Sequence, residues 1–594
     1  MTEKKITDKY NELILQLTAE MNEGGYWTGR LSTSALSTAV AIVALKTGGD
    51  PDDKPKIKAG FNWLCRHINT DGGYGDTTDA VSNVSTTLLC YAAIHFCQTH
   101  HNGLPCLKEM EQWLAKKGIS FRSGNITSSI LKYYGRDYTF SIPILSMLTI
   151  CKVLPPVSLK KIPRLPFELT LLPASWYRFL NLRVVSYALP ALIAVGVFLH
   201  KKHRKGLPVI WSLRNRFIKP VLENLNSLVP ESGGFLEAIP LTGFVAMCLV
   251  ESGYTRHSTV EKGLKFLRIQ QREDGGWPID TDLSTWVTTL AVKALGPQLG
   301  EVLNVNQIKR LKNHLLQLQY KKVHPFNQAG AGGWGWTNYS GSVPDADDTP
   351  GAILALLEMY SGCKDEALAI EKGCRWLLDL QNRDGGFPTF CRGWGKLPFD
   401  KSCADLTGHA LLALLKTSEK LNGHISPELI TDIDRSIHMA MGYLTMNQLT
   451  DGSWIPLWFG NQHTGNKTNP VYGTAKVCIY LNDCLCVNYP DKEFIEYLRK
   501  LTDRGRNYLL LQQNGDGSWG GMKDIAGTIE ETSLAVSALG KDYAEACLNA
   551  IDWLMRQESL KAAPIGLYFA LLWYDEQLYP LIYYTEALRR FLKY

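Results

Sequence analysis

The chain has 594 residues, 45% of them apolar and 20% charged, with a net charge of +6. That length allows more than one domain, each with a sizeable core. The charge excess is too slight to imply nucleic acid as a partner, and it is compatible with an anionic membrane surface.

The 14 cysteines fall in no framework spacing. Cys484 with Cys486, and Cys97 with Cys106, lack the second ligand pair that zinc needs. Reduced thiols in the core of a cytosolic protein are therefore expected. The first residues, Met1 to Tyr10, are charged and hold no apolar stretch, so no secretory signal is expected.

From there one phrase recurs: an amphipathic helix, a glutamine, Asp-Gly-Gly or Asp-Gly-Ser, then an aromatic residue. Weak copies stand at Glu23-Gly-Gly-Tyr-Trp27 and from Lys58 to Tyr74, where Ile68 replaces the glutamine. The copy at Lys262–Gln271 ends in Asp274-Gly-Gly-Trp277. Later copies pair Gln381 with Asp384-Gly-Gly-Phe387, Gln448 with Asp451-Gly-Ser-Trp454, and Gln513 with Asp516-Gly-Ser-Trp519. Each unit reads as a helix stopped by glycine, its aromatic ring folding back over the turn and its glutamine free to bond a neighbouring helix end. No run alternates like a strand, so the fold is expected to be all-α, a toroid of paired helices.

Lys152–Pro220 breaks the pattern. Proline is dense from Pro155 to Pro173, and Tyr187–Leu199 is almost wholly apolar before Lys201-Lys-His-Arg-Lys205. The run is too short for the ~20 residues that span a bilayer. It reads either as a segment dipping into one leaflet with its basic end at the headgroups, or as a buried helix.

The densest chemistry lies after Gly332-Gly-Trp-Gly-Trp336. Asp345, Asp347 and Asp348 crowd four positions before the apolar helix at Ala352–Met359. Helix capping by Asp348 or Thr349, with Pro350 in the first turn, needs only one acid. Neighbouring like charges raise a carboxyl pKa, so one of the three can stay protonated as a general acid. A divalent-metal site is the alternative that spacing alone leaves open.

The repeats together with Asp345-Ala-Asp-Asp348 resemble the squalene–hopene cyclases, the class II triterpene cyclases, over essentially the whole chain. The resemblance implies two α-toroids (α6–α6 barrels) in a dumbbell. One is an inserted unit at 31–282, with a membrane-dipping segment near 184–205; the other is a catalytic unit made of 1–30 and 283–594. It implies monotopic attachment at the cytoplasmic face of a membrane and protonation of a linear, non-epoxidised polyprene such as squalene, with no cofactor and no metal. By position, Asp347 matches the aspartate that protonates a terminal alkene, Asp345 and Asp348 its flanking acids, and His409 the histidine bonded to it, expected to be protonated. Trp286, Trp334, Trp336, Phe390, Trp458, Tyr472 and Tyr568 match aromatic cavity positions, where π-faces stabilise a carbocation.

Departures stand beside these matches. Ile239-Pro240 replaces a Gln-Pro pair, Leu572 and Asp575 replace tyrosines, and Asn461–Pro470 is a longer, polar segment. The lower-cavity glutamates are missing around Thr38 and Thr87. A shorter prenyl chain or a C35 polyprene is a further candidate substrate, and a homodimer is possible on this reading. A protein prenyltransferase-like toroid, with Cys403, Asp405 and His409 as zinc ligands, and a non-catalytic toroid are the competing classes.

Overall fold

The computed structural model describes residues 2–98, 105–121, 126–135, 138–173, 176, 179, 185–202, 208–393, 398–567 and 572–593. Its helices pair into two closed rings. In the larger unit six inner helices follow one another: Ser284–Leu295, Asp348–Glu358, Ala404–Lys420, Pro470–Cys484, Ile529–Leu539 and Tyr579–Leu592. Each packs on the next and the last packs on the first. An outer layer is formed by Glu3–Ala19, Val305–Leu318, Lys364–Leu380, Pro427–Asn447, Lys492–Leu511 and Ala544–Met555.

The two layers follow from residue pattern. Inner helices are buried on nearly every face, and Pro470–Cys484 is buried continuously from Pro470 to Leu481. Outer helices bury one stripe: Lys492–Leu511 buries Phe494, Leu498, Leu501, Gly505, Tyr508 and Leu509, at helical spacing. The smaller unit closes the same way through five inner helices among the described residues: Ala35–Gly48, Val84–Cys97, Tyr138–Ile150, Val185–Lys202 and Ile239–Glu251. Two hydrophobic cores result. One joins Ile6–Trp27 to residues from Trp286 to Leu592; the other draws on Ala35 to Trp277, with Phe326, Val343 and Cys391 reaching in.

The recurring turns tie the layers together. Each glutamine Nε2 donates to its own turn and to the next outer helix: Gln381 to Gly385 and Ser436, Gln448 to Gly452 and Leu501, Gln513 to Gly517 and Ala546. Each tryptophan indole donates to the end of its own helix, as Trp454 does to the Leu444 carbonyl and Trp519 to Leu509. The glycine at the bend is obligatory. Gly452 has φ +94°, and a Cβ there would lie 2.4 Å from the Arg504 carbonyl oxygen.

A threonine on the following inner helix completes the unit, and the sequence motif omits it. Its hydroxyl accepts the backbone N–H of the turn aromatic: Thr38 for Trp277, Thr87 for Tyr74, Thr349 for Trp334, Thr407 for Phe387, Thr474 for Trp454 and Thr532 for Trp519. Thr38 and Thr87, noted for lacking glutamates, are therefore turn anchors.

The apolar run Tyr187–Leu199 lies in the Val185–Lys202 helix. Leu189, Ile193, Ala194, Val195, Val197 and Phe198 are buried against Ile239–Glu251. Of the two readings, the buried helix fits this packing: the run fills the core of the smaller ring. The Tyr187 side chain and residues 203–205 lie outside the described residues. Among the described residues no helix is long and apolar enough to cross a membrane.

Candidate active site

The acids sit where the Trp334–Trp336 loop enters the inner helix Asp348–Glu358. Two bonds fix the entry: Asp345 N–H donates to the Trp334 carbonyl (3.0 Å) and Ala346 N–H to that of Thr389 (2.8 Å). Asp345 then does the capping. Its Oδ1 accepts the N–H groups of Asp347 and Asp348, both at 2.8 Å. Neither Asp348 nor Thr349 is the cap, because Asp345 reaches the free amides first and Thr349 is bonded to Trp334.

The three carboxyls divide their roles. Asp345 and Asp348 are both buried, and the Asp345 carboxyl raises that of Asp348 further. Asp345 Oδ2 and Asp348 Oδ1 have no hydrogen-bond partner among the described residues. Burial pushes both up, Asp345 to about 7 and Asp348 well above its usual range, so Asp348 holds its own proton. Asp347 occupies the cap position yet makes no capping bond, and 19% of its side chain is exposed. Its Oδ1 meets His409 Nδ1 at 3.2 Å. Burial raises its carboxyl to about 6, against the opposing pull of Lys476 and Lys293.

His409 comes from the Ala404–Lys420 helix and is 2% exposed. Its ring stacks on Tyr480 (4.5 Å between centroids) and meets Trp286 edge-on at 6.2 Å. Burial first, then Lys476 and Lys293, push its pKa well below the ordinary value. The expected imidazolium is therefore a neutral imidazole, and the Nδ1–H tautomer is the one that can donate to Asp347. Burial is the main cause of the correction, and two lysines that already supply positive charge add to it.

The aromatic candidates separate into groups. Trp336, Phe390 and Trp458 form one cluster, with Phe390 edge-on to Trp336 at 6.1 Å and to Trp458 at 5.8 Å. Phe399, which the sequence did not single out, joins it 5.8 Å from Phe390 and 5.7 Å from Trp458. Phe390 and Phe399 touch both cores, so the cluster stands between the two units. The Trp458 indole is tied to Thr389 Oγ1, and the carbonyl of the same residue accepts the Ala346 N–H. Trp286 and Tyr472 line the acid side. Trp334 is fully buried with its indole on the Leu315 carbonyl, the position of the repeat tryptophans. Tyr568 lies outside the described residues.

Sequence reasoning also missed Tyr480, Tyr583, Lys293 and Lys476. Tyr472, Lys476 and Tyr480 fall at i, i+4 and i+8 on one helix face. A lysine inside an aromatic stripe was the available signal.

The zinc alternative does not assemble. Cys403 Sγ donates to Asp405 Oδ1 (2.5 Å) and accepts from Leu457 N–H, while His409 turns to Asp347. Among the described residues no three His, Cys, Asp or Glu side chains are grouped to hold a metal. A cavity of about 200 Å³ reaches His409 from the far ends of the inner helices, lined by Lys293, Glu358, Lys416, Asp483 and Arg590. It is charged and too small for a long apolar chain.

The polar segment Asn461–Pro470 closes the unit interface. Asn461 and Asn469 both donate to Glu531 Oε1 (2.8 and 2.7 Å), and Gln462 Oε1 accepts Val81 N–H at 2.7 Å. Short strands Phe459–Gly460, Ile565–Leu567 and Leu572–Tyr574 brace it, and Asp76 of the smaller unit accepts the Trp573 N–H at 2.7 Å.

Models of the squalene–hopene cyclase N-terminal and C-terminal domains match residues 12–233 and 283–556. Among curated proteins, enfumafungin synthase efuA of Hormonema carpetanum is 23% identical over 90% of this chain and 43% of its own length. The terpene cyclase–glycosyl transferase fusion protein fsoA of Humicola fuscoatra is 30% identical over 50% of this chain and 24% of its own. A probable squalene–hopene cyclase of Sinorhizobium fredii is 22% identical over 85% of this chain and 81% of its own. The chain thus spans less than half the length of the first two.

Proposed function

The chain belongs to the squalene–hopene cyclase family, the class II terpene cyclases, and from that premise we propose that it cyclises a linear polyprene, squalene first, by protonating a terminal alkene from Asp347. One observation supports this above the rest. Of three clustered acids, Asp345 caps the helix and Asp348 is buried, which leaves Asp347, partly exposed and facing His409, as the one able to meet a substrate.

An alkene is a poor base, so the donor must be strong while still holding its proton. Burial keeps the proton on Asp347 up to about pH 6, above the ordinary carboxyl range, and the His409 N–H stabilises the carboxylate as it forms. The proton transfer needs neither metal nor organic cofactor. The cation then moves along a folded chain that must be kept from water. Trp336, Phe390, Phe399 and Trp458, set between the two units, offer the π-faces for it.

Substrate from a bilayer needs a docking face, which we assign to the smaller unit. Arg214 binds the Leu165 carbonyl and Glu168, joining the Phe167–Leu171 turn to the Pro208–Ser227 helix. Leu169, Val209 and Leu213 on those two elements are at least half exposed, as are Trp176 and Phe179 between them in the chain. So large an exposed apolar group, rather than the buried run Tyr187–Leu199, suits contact with one leaflet.

Incubation with squalene and with C20 to C35 polyprenes, followed by mass spectrometry, tests the reading. A cyclic isomer, or its hydrate, is expected from one of them. Folded protein that returns every polyprene unchanged would overturn it.

A further inference from the structure

Lys476 is a buried cation that the family chemistry leaves unexplained. It lies on the inner helix Pro470–Cys484, is 2% exposed, and its Nζ has no hydrogen-bond partner. The ammonium sits instead among ring faces, 5.3 Å from the centroid of Trp286, 5.2 Å from Tyr480 and 5.9 Å from Tyr583. Two of those rings also enclose His409. Imidazole and ammonium therefore share one aromatic shell, and the acid is bonded to that imidazole. A methionine would fill that shell without desolvating a charge, so the charge calls for a function.

We propose that Lys476 is a positioning residue for the acid: its caged ammonium stabilises the Asp347 carboxylate as the proton leaves, making Asp347 a stronger acid than burial alone would. This rests on Asp347 as proton donor. In the assisted step the alkene π pair forms a C–H bond with the Asp347 proton. The O–H pair stays on the carboxylate, and the positive charge passes to the more substituted alkene carbon. Lys476 stays protonated throughout and faces a neutral carboxyl before the step and a carboxylate after it.

The surroundings are consistent with that charge. Burial pushes Lys476 down, while Asp347, Glu586 and Asp405 hold its proton on. Charged and titratable groups face Asp347 from every packed element. They are Asp345 and Asp348 on its own helix, Lys293 on Ser284–Leu295, and Asp405 and His409 on Ala404–Lys420. Tyr472, Lys476 and Tyr480 come from Pro470–Cys484, Tyr574 from the strand and Tyr583 from Tyr579–Leu592, on which Glu586 and Arg590 face Lys476. Glu530 and Glu531 on Ile529–Leu539 are engaged elsewhere, by Ala563, Asn461 and Asn469. Lys293 is paired with Glu586 at 3.2 Å, and Arg590 with Asp483 and Glu586. Lys476 is the cation in this set without a hydrogen-bonded or ion-paired partner in reach.

The test reads the acid directly. The Asp347 carboxyl is titrated by infrared difference spectroscopy against Asp347→Asn, with no substrate present. Wild type should titrate at about 6. Lys476→Met should move that midpoint up by about one unit or more. With squalene in detergent micelles, the basic limb of the pH–rate profile should shift equally, and the low-pH plateau should fall roughly 3-fold or more, because the acid is weaker. If Lys476→Met does not fold, Lys476→Gln carries the same comparison. An unchanged midpoint in whichever variant folds overturns the proposal. Turnover retained by Asp347→Asn would instead defeat the acid assignment, and the two failures are distinguishable.

Discussion

Replacing His409 by phenylalanine isolates the hydrogen bond to the acid. A phenyl ring keeps the stack on Tyr480 and the edge contact with Trp286, and removes the N–H that reaches Asp347 Oδ1 at 3.2 Å. Hydrogen bonds to charged groups are worth about 1.5–3 kcal/mol. At the long end of the N–H···O range the lower figure applies. Only the part gained between neutral acid and carboxylate lowers the barrier. If most of that charge has developed, the loss is about 1–1.5 kcal/mol, or roughly 5- to 12-fold in kcat. KM should hold, because the apolar chain binds the aromatic wall. His409→Asn keeps a neutral N–H near Nδ1 and should retain more activity than phenylalanine. Arginine should do worse than either, since Lys293 and Lys476 already crowd the site with positive charge. The assay is product formed per folded molecule, with melting temperature measured alongside. Wild-type turnover by His409→Phe would refute the role of this histidine.

Three further outcomes follow from the same geometry. Gln448→Ala removes bonds of 2.9 and 3.0 Å and strands the Gly452 and Leu501 carbonyls. It should cost about 2–4 kcal/mol in urea unfolding, and a negligible loss would mean the turn is held by Gly452 and Trp454 alone. Asp347 must hold its proton to act, so turnover should be full at low pH and fall as pH rises through about 6; a rate still climbing from there would require another acid. Serine at Phe179, Val209 and Leu213 should weaken sedimentation with anionic vesicles without moving the melting temperature, whereas Ile193→Asn should unfold the smaller ring. Unaltered vesicle binding by the triple variant would place any membrane face elsewhere.

The all-α layout was legible because each turn writes itself locally: glutamine, glycine and ring lie within a few residues of one another. The anchoring threonine was not, although Thr349, Thr407, Thr474 and Thr532 recur, because it sits on the next helix at 13 to 20 residues from its aromatic. The run Tyr187–Leu199 was ambiguous for a physical reason. Apolar length alone cannot separate a core helix from a membrane-dipping one, and only its packing on Ile239–Glu251 decides. The protonation of His409 was likewise hidden. It depends first on burial within the closed ring, then on Lys476 and Lys293, which are distant in sequence and brought together by ring closure.

Asp347→Asn tests the central claim most directly. The amide preserves shape, and no capping bond depends on this side chain, so melting temperature should stay near wild type. Product formation from the accepted polyprene should fall below detection, while Asp345→Asn, which disturbs the helix cap, should lower stability as well as activity. Substantial turnover by a well-folded Asp347→Asn enzyme would contradict the account, because no other carboxyl at this site is free to give its proton to an alkene.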